Sequence, residues 1–321
     1  MSLWKKLRHR IEAAALRFFA WLIPRLSRQS CVRLANALGE IGSRLDRRGR
    51  AVALGNVRCA LGGSLSDAEQ LDVVRASYRN FARTMLDLFW APALARPENR
   101  HWLRIHFDPA AAAALTRSGG VLLTLHYGNW EYASLAGAWA GYPALCVAEE
   151  FKNAALTPIM TALRQTSGQT IIPQDKSMLR MLRAVKRGGF AALLTDLTLK
   201  PGQASTIIRA FGMEMCVSMM HAVLAQRGGA RIVPAITTPD PDGGCTVRFC
   251  APLEVSEGCT TRQIAQQCWD FYEPTIRAKP ALWLWPYKHF RYKPRGAEHE
   301  YPFYSNESGA FEKLRRKELR G

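Results

Sequence analysis

Several features are missing from this chain of 321 residues, and each absence narrows what it can be. No stretch reaches the ~18 uncharged apolar residues of a membrane-spanning helix. Acids are scarce: 26 Asp and Glu stand against 44 Lys and Arg, a net charge of +18. A charge that large speaks to partners, nucleic acid or an anionic membrane surface, more than to fold. The eight cysteines make no CxxC pair and fit no zinc spacing. Several sit in apolar runs, as in Ala144-Leu145-Cys146-Val147, and read as reduced core thiols. The basic, then apolar, N-terminus does not read as a secretory signal, because Arg17 interrupts it and no small-residue cleavage site follows. There is no phosphate loop, GxGxxG fingerprint, GxSxG elbow, HExxH or aromatic RNA-reading motif. The commonest nucleotide, flavin and serine-hydrolase readings are thereby removed, and none of these cofactor or metal motifs stands in the chain.

Apolar residues make up 48% and charged residues 22%, so the chain is neither disordered nor a multi-pass membrane protein. The positive charge is concentrated at the start: residues 1–60 hold thirteen Lys or Arg and three acids. There Trp4, Leu7, Ile11, Ala15, Phe18 and Leu22 recur at helical spacing, with Lys6, Arg10 and Arg17 on other faces and Pro24 as the stop. Two interpretations of this amphipathic helix stand. Its stripe packs on the protein's own core, or it lies in a membrane interface with Trp4, Phe18 and Trp21 at the acyl boundary. The second gives an interface helix over residues 1–25 and one α/β domain over 26–321, helical to about residue 100. Ser66-Asp67-Ala68-Glu69 has capping-box form and opens a helix to Trp90, with Pro92 and Pro97 ending it.

From residue 119 short apolar runs alternate with helical stretches. The runs are Val121–Leu125, Ala144–Ala148, Thr170–Ile172, Phe190–Leu194, Arg231–Ile236 and Thr246–Cys250; helices are predicted near 130–140, 155–166, 177–187, 216–227 and 261–278. This alternation predicts an α/β fold, a mostly parallel sheet flanked by helices. The Pro/Gly/Asp cluster at 239–244 reads as a tight turn between strands.

One segment carries chemistry: His126-Tyr127-Gly128-Asn129-Trp130-Glu131, at the carboxyl end of an apolar strand, where active sites of such sheets collect. Of the seven histidines only His126 has an acid five residues on. An imidazole takes the proton of an attacking alcohol, worth about 10²–10⁴-fold, and a carboxylate on its other nitrogen fixes the tautomer. His126 and Glu131 supply such a pair with no protein nucleophile between them, which suits direct acyl transfer to a hydroxyl. A structural histidine beside a surface glutamate is the competing interpretation of the same residues.

The chain resembles the bacterial lipid A biosynthesis (late) acyltransferases, within the wider His-x4-acid class of glycerolipid and lysophospholipid acyltransferases. The likeness rests on the basic start, Arg47–Val57, Ser77–Thr84, the box at 126–131, Leu194-Thr195-Asp196, Ala210-Phe211-Gly212 and Trp285–Pro294. It implies a fatty acyl chain moved from acyl carrier protein to a hydroxyl of a lipid A precursor, at the cytoplasmic face of the cell inner membrane. It implies His126 as general base, Glu131 as its orienting partner, and no metal or nucleotide. The chain departs from the family pattern at Glu149-Glu150-Phe151, where many members have Tyr-Arg-Pro, at Thr195-Asp196-Leu197, and at Tyr287, where the family usually has His. Those departures keep other acceptors open, a phosphatidylinositol-mannoside-like glycolipid, an aminolipid or a lysophospholipid.

Further substrate-contact candidates are Asn129 inside the box and Asp196, expected on the same rim as His126. Lys200 and Arg209, expected to flank Asp196 in the loop with Pro201-Gly202, and Lys288 and Arg291 among aromatics complete the set. Lys200 and Arg209 suit phosphate on the donor's phosphopantetheine or the lipid headgroup, and Lys288 and Arg291, with Lys293, suit the anionic lipid or the acidic carrier protein. A different class, a basic nucleic-acid-binding protein, rests on the charge alone and lacks a groove-reading motif.

Overall fold

The computed structural model describes residues 3–148, 151–166 and 168–319. Its N-terminal third is helical: α1 (Leu3–Leu22), α2 (Arg28–Leu45), α3 (Arg47–Leu61) and α4 (Asp67–Leu94). Each boundary has a local cause. Ser27 and Asp46 cap α2 and α3 through their side chains, and Ser66 and Glu69 form the full capping box of α4. Pro92 does not end α4; it sits inside the last turn, and the helix closes at Leu94. α2 lies tightly on α4 because Gly39 has no side chain: a Cβ there would fall 2.4 Å from Arg79 Cα.

The remainder alternates as β1 (Leu103–Phe107), α5 (Pro109–Ser118), β2 (Gly120–Thr124), α6 (Trp130–Trp139), β3 (Ala144–Ala148), α7 (Thr157–Gln165), β4 (Thr170–Pro173), α8 (Ser177–Lys186) and β5 (Phe190–Leu194). A hairpin of β6 (Ser205–Ala210) and β7 (Met213–Ser218) follows, then α9 (Met220–Gly228), β8 (Arg231–Pro239), β9 (Cys245–Phe249) and α10 (Thr261–Ala278). The short pair β10 (Tyr292–Lys293) and β11 (Asn306–Glu307) and the helix α11 (Gly309–Leu319) complete it. The seven-stranded sheet has the order β1-β9-β8-β2-β5-β3-β4. Five strands, β8 to β4, run parallel; β9 turns back on β8 through residues 240–244, as the Pro/Gly/Asp cluster predicts, and β1 pairs parallel with β9.

One expected helix begins late. Residues 216–218 belong to β7, where Met213, Met215 and Val217 alternate inward, and α9 starts only at Met220. β1, α5 and β6 had no counterpart among the predicted elements.

β2 is buried on both sides. Val121 and Leu123 join a core with residues of α8, α9 and α10, while Leu122 joins a second core with residues of α4, α5 and α6. Connections from β2 to β3 and from β3 to β4 move one way along the sheet; that from β4 to β5 moves back. Right-handed crossovers therefore place α6 and α7 on one face and α8 on the other.

α1 turns its apolar stripe away from the protein. Trp4, Leu7, Ile11 and Phe18 are exposed, Trp4 at 73%, whereas Ala13 is buried and Leu16 packs against Leu88, Met160 and Leu163. Packing of that stripe on the protein's own core is thus not what forms. No helix among the described residues is long and apolar enough to cross a membrane.

Candidate active site

The box lies where β2 ends and α6 begins. Gly128 makes the turn possible: its φ is +59°, and a Cβ there would lie 2.0 Å from the Thr237 carbonyl oxygen. Asn129 is the N-cap of α6, its side-chain oxygen accepting the Tyr132 N–H at 3.1 Å. Its amide donates to Asp87 Oδ2 at 2.7 Å. A polar stripe on α4 cradles the turn. Asn80 Nδ2 and Thr84 Oγ1 each donate to the Gly128 carbonyl at 3.0 Å, Asn80 also to the Leu282 carbonyl at 3.1 Å, and Ser77 Oγ to the Trp283 carbonyl at 2.5 Å. Asp87, at the end of the stripe, is paired with Arg28, and both are buried.

The carboxylate that meets His126 comes from the adjacent strand. Asp196 follows β5, which pairs with β2, and its Oδ1 lies 2.8 Å from His126 Nδ1. Its Oδ2 accepts the His126 backbone N–H at 3.0 Å and the Trp283 indole N–H at 2.8 Å. Asp196 is fully buried. Burial pushes its carboxyl pKa up, but the His126 imidazole, His289 and the Trp283 N–H outweigh that and hold it below the usual carboxylate range. The His126 side chain keeps 14% of its surface open, and Nε2 has no protein partner among the described residues.

His289 ties the loops of this pair together. It is fully buried, stacked on Trp283 with ring centroids 4.0 Å apart. Its Nδ1 lies 3.1 Å from the Asp196 carbonyl and its Nε2 2.8 Å from the Leu284 carbonyl. Leu284 N–H donates to the His126 carbonyl at 3.0 Å. Burial lowers the His289 pKa, and the neutral ring has one N–H, so it donates to one of the Asp196 and Leu284 carbonyls and rests against the other. Phe211, at positive φ in the β6–β7 turn, packs against Trp269, Trp283 and Trp285 beneath it.

Glu131 does not pair with His126 here. It is the second residue of α6, past the cap, and its carboxylate meets Arg164 of α7, with Nη2–Oε1 at 2.7 Å and Nε–Oε2 at 3.1 Å. His126 precedes the cap, so no helical phase relates the two side chains, and the spacing of five was a poor guide to contact. The pair floors a narrow cleft with Leu88, Leu135 and Leu163.

The other candidates are spread out. Asn129 is buried, both ends of its amide occupied by the cap and Asp87. Lys200 is exposed in a turn four residues beyond Asp196. Arg209 is not in that loop; it lies within β6, exposed, with Nε donating to the Gly212 carbonyl at 3.3 Å. Lys288 rests over the Tyr304 ring at 5.2 Å, and Arg291 is half-buried beyond His289. Glu149 and Glu150 lie outside the described residues. Arg28, Arg164 and Trp283 escaped the sequence analysis, and His289 entered it only as part of the Trp285–Pro294 block; the legible signal was the 3, 4, 3 spacing of Ser77, Asn80, Thr84 and Asp87 in α4. All eight cysteines are free thiols, and no group of three His, Cys, Asp or Glu able to hold a metal occurs among the described residues.

The mostly parallel α/β sheet thus presents an imidazole–carboxylate pair at its carboxyl rim, where active sites of such sheets collect. The chain matches the family described as bacterial lipid A biosynthesis acyltransferase over residues 3–292, and it belongs to that family. No curated protein matches it.

Proposed function

We propose that the enzyme transfers a fatty acyl chain from acyl carrier protein to a hydroxyl of a lipid A precursor. The observation that carries this reading is the His126 ring, fixed at Nδ1 by buried Asp196 and open at its other edge. Nδ1–H donates to Asp196, which leaves the Nε2 lone pair facing outward. The acceptor hydroxyl gives its proton to Nε2 as its oxygen attacks the thioester carbonyl. The C–O bond forms, the C–S bond breaks, and the imidazolium returns the proton to the departing thiolate. Asp196 steadies the imidazolium meanwhile. Glu131, braced by Arg164, holds the first turn of α6 that carries the box. Lys200, Arg209, Lys288 and Arg291 are assigned to the acceptor's phosphates, three of them on segments joined to Asp196 or His289.

The exposed stripe of Trp4, Leu7, Ile11 and Phe18, flanked by Lys5, Lys6, Arg8 and Arg10, suits docking in the interface of an anionic leaflet, the cytoplasmic face of the inner membrane. The test uses the full chain on anionic vesicles with acyl carrier protein as donor and a lipid A precursor as acceptor. His126→Ala should lower the transfer rate by about 10²–10⁴-fold, measured below the variant's melting transition because the change takes a hydrogen-bond partner from buried Asp196. A variant keeping more than about a tenth of the rate removes His126 as the base. Mass spectrometry of membrane lipids from a deletion strain then names the acceptor by the acyl group it lacks.

A further inference from the structure

α8 and its two capping residues carry a charged face that no ion pair among the described residues uses. Lys176, Arg180, Arg183 and Arg187 follow one another at steps of 4, 3 and 4, a single helical stripe, with Lys186 beside them. All five are exposed, and none makes an ion pair among the described residues. The only acid within residues 170–190 is Asp175. Leu179, 45% exposed, lies within the stripe. The opposite side of the helix, Ser177, Met181 and Val185, is buried against the sheet and α9. Like charges at neighbouring positions of a helix repel one another, and a partner of opposite sign removes that cost.

The stripe starts at the catalytic rim. Lys176 follows the carboxyl end of β4, as His126 follows that of β2 and Asp196 that of β5. β4 stands three places from β2 in the sheet, roughly 14 Å at ordinary strand spacing. A partner seated on α8 therefore has its near end, at Lys176, on the same rim as His126.

A bilayer does not fit as that partner. The exposed stripe of α1 belongs to the α4 and α7 side, since Leu16 packs on Leu88, Met160 and Leu163. α8 is on the other face of the sheet. Two helix layers across a sheet stand about 20 Å apart, more than two Debye lengths at physiological salt. A membrane met by α1 leaves the α8 stripe free for a protein in solution.

We infer that the cationic face of α8 is the docking surface for the acidic carrier protein that brings the acyl thioester. This rests on the donor named in the proposed function. The carrier's acidic helix lies along Arg180 and Arg183 with Leu179 at the contact centre, and its flexible thioester arm passes Lys176 to reach His126.

The test compares wild-type chain with Arg180→Glu/Arg183→Glu and with the milder Arg180→Gln/Arg183→Gln, all on anionic vesicles. Acyl carrier protein loaded with a fatty acyl group is the donor. Reversal should raise KM and the directly measured Kd for the loaded carrier roughly tenfold, the lower end of steering effects. The Gln variant should fall between, and wild-type affinity should drop as salt rises. kcat at saturating carrier, the melting curve and vesicle partition should stay at wild-type values. An unchanged KM and Kd overturns the docking surface, and so does a loss of vesicle partition, which assigns α8 to the membrane. His126→Ala separates the two proposals, since it should lose transfer while binding carrier like wild type. If wild type uses the carrier and the α8 variants match it, only the docking surface falls. If wild type neither binds nor uses the carrier, the donor assignment falls as well.

Discussion

The loop after β5 and the first turn of α6 each bring one carboxylate toward the rim, and they are built differently. Asp196 is fully buried and accepts three hydrogen bonds, two from His126 and one from Trp283. Glu131 is held from outside the box by Arg164 and keeps 10% of its side chain accessible. In sequence Glu131 is five residues from His126 and Asp196 is seventy away. A parallel sheet reverses that order, because β2 and β5 are hydrogen-bonded neighbours whose carboxyl ends open onto one rim.

The sharpest way to break this comparison is to neutralise each acid without changing its shape. Asp196→Asn puts an amide against Nδ1 and allows the wrong tautomer. It should lower kcat by about 10²–10⁴-fold at saturating substrates, as much as removal of the imidazole itself. Glu131→Gln should cost about tenfold or less, because it weakens a brace rather than the base. If Glu131→Gln is the more damaging of the two, Glu131 reaches the imidazole in the substrate-bound enzyme and the Asp196 assignment fails.

The next test concerns the support under α6. Arg28 and Asp87 form a buried ion pair, and Asp87 also holds Asn129. Arg28→Met leaves buried Asp87 with only the longer 3.9 Å ion pair to Arg83 and should destabilise the fold by about 3 kcal/mol in urea unfolding. Adding Asp87→Asn should recover a large part, since the buried carboxylate is gone and Arg83 keeps its hydrogen bonds to the Gly243 and Gly244 carbonyls. Full recovery of stability with activity still low would place this network under the catalytic geometry of the box; a double variant no more stable than Arg28→Met would show that its contribution is packing.

Much of this was legible in the residues, and for identifiable reasons. Strand–helix alternation gave the sheet because apolar runs buried on both sides have no other place to go. Asp196 was placed on the rim by its position just after a strand. The end of β7 was hidden because Cys216, Met220 and Val223 recur at helical spacing and carry the pattern of α9 back into the strand, while Met213, Met215 and Val217 alternate with period two. The contacts Arg28–Asp87, Arg164–Glu131 and His289–Asp196 span 59, 33 and 93 residues, and local period carries no information about them. Arg209 was misplaced for the opposite reason: the Pro201-Gly202 turn ends sooner than its composition suggests, and β6 has begun by Ser205.

The acid limb of stability offers the smallest effect and isolates Asp196 from a second buried group. His221, in the first turn of α9, is buried, and neither of its ring nitrogens has a hydrogen-bond partner among the described residues. Burial pushes its pKa down to about 4. Above pH ~6.5 the ring is neutral in both folded and unfolded chain and contributes nothing. Between about 6.5 and about 4 the unfolded chain binds a proton that the folded one refuses, so stability falls by ~1.4 kcal/mol per pH unit. Asp196 works in a lower window. Its folded pKa is depressed, so its contribution is complete above the ordinary carboxylate value near ~3.9 and is lost as pH falls below it. His221→Phe keeps a ring of similar size and removes the upper window alone. Urea unfolding at pH 7 and pH 5 should show wild type losing about 2 kcal/mol more than His221→Phe. Parallel losses in the two proteins would mean that solvent reaches the ring and that the core beneath α9 opens more readily than the rim around Asp196.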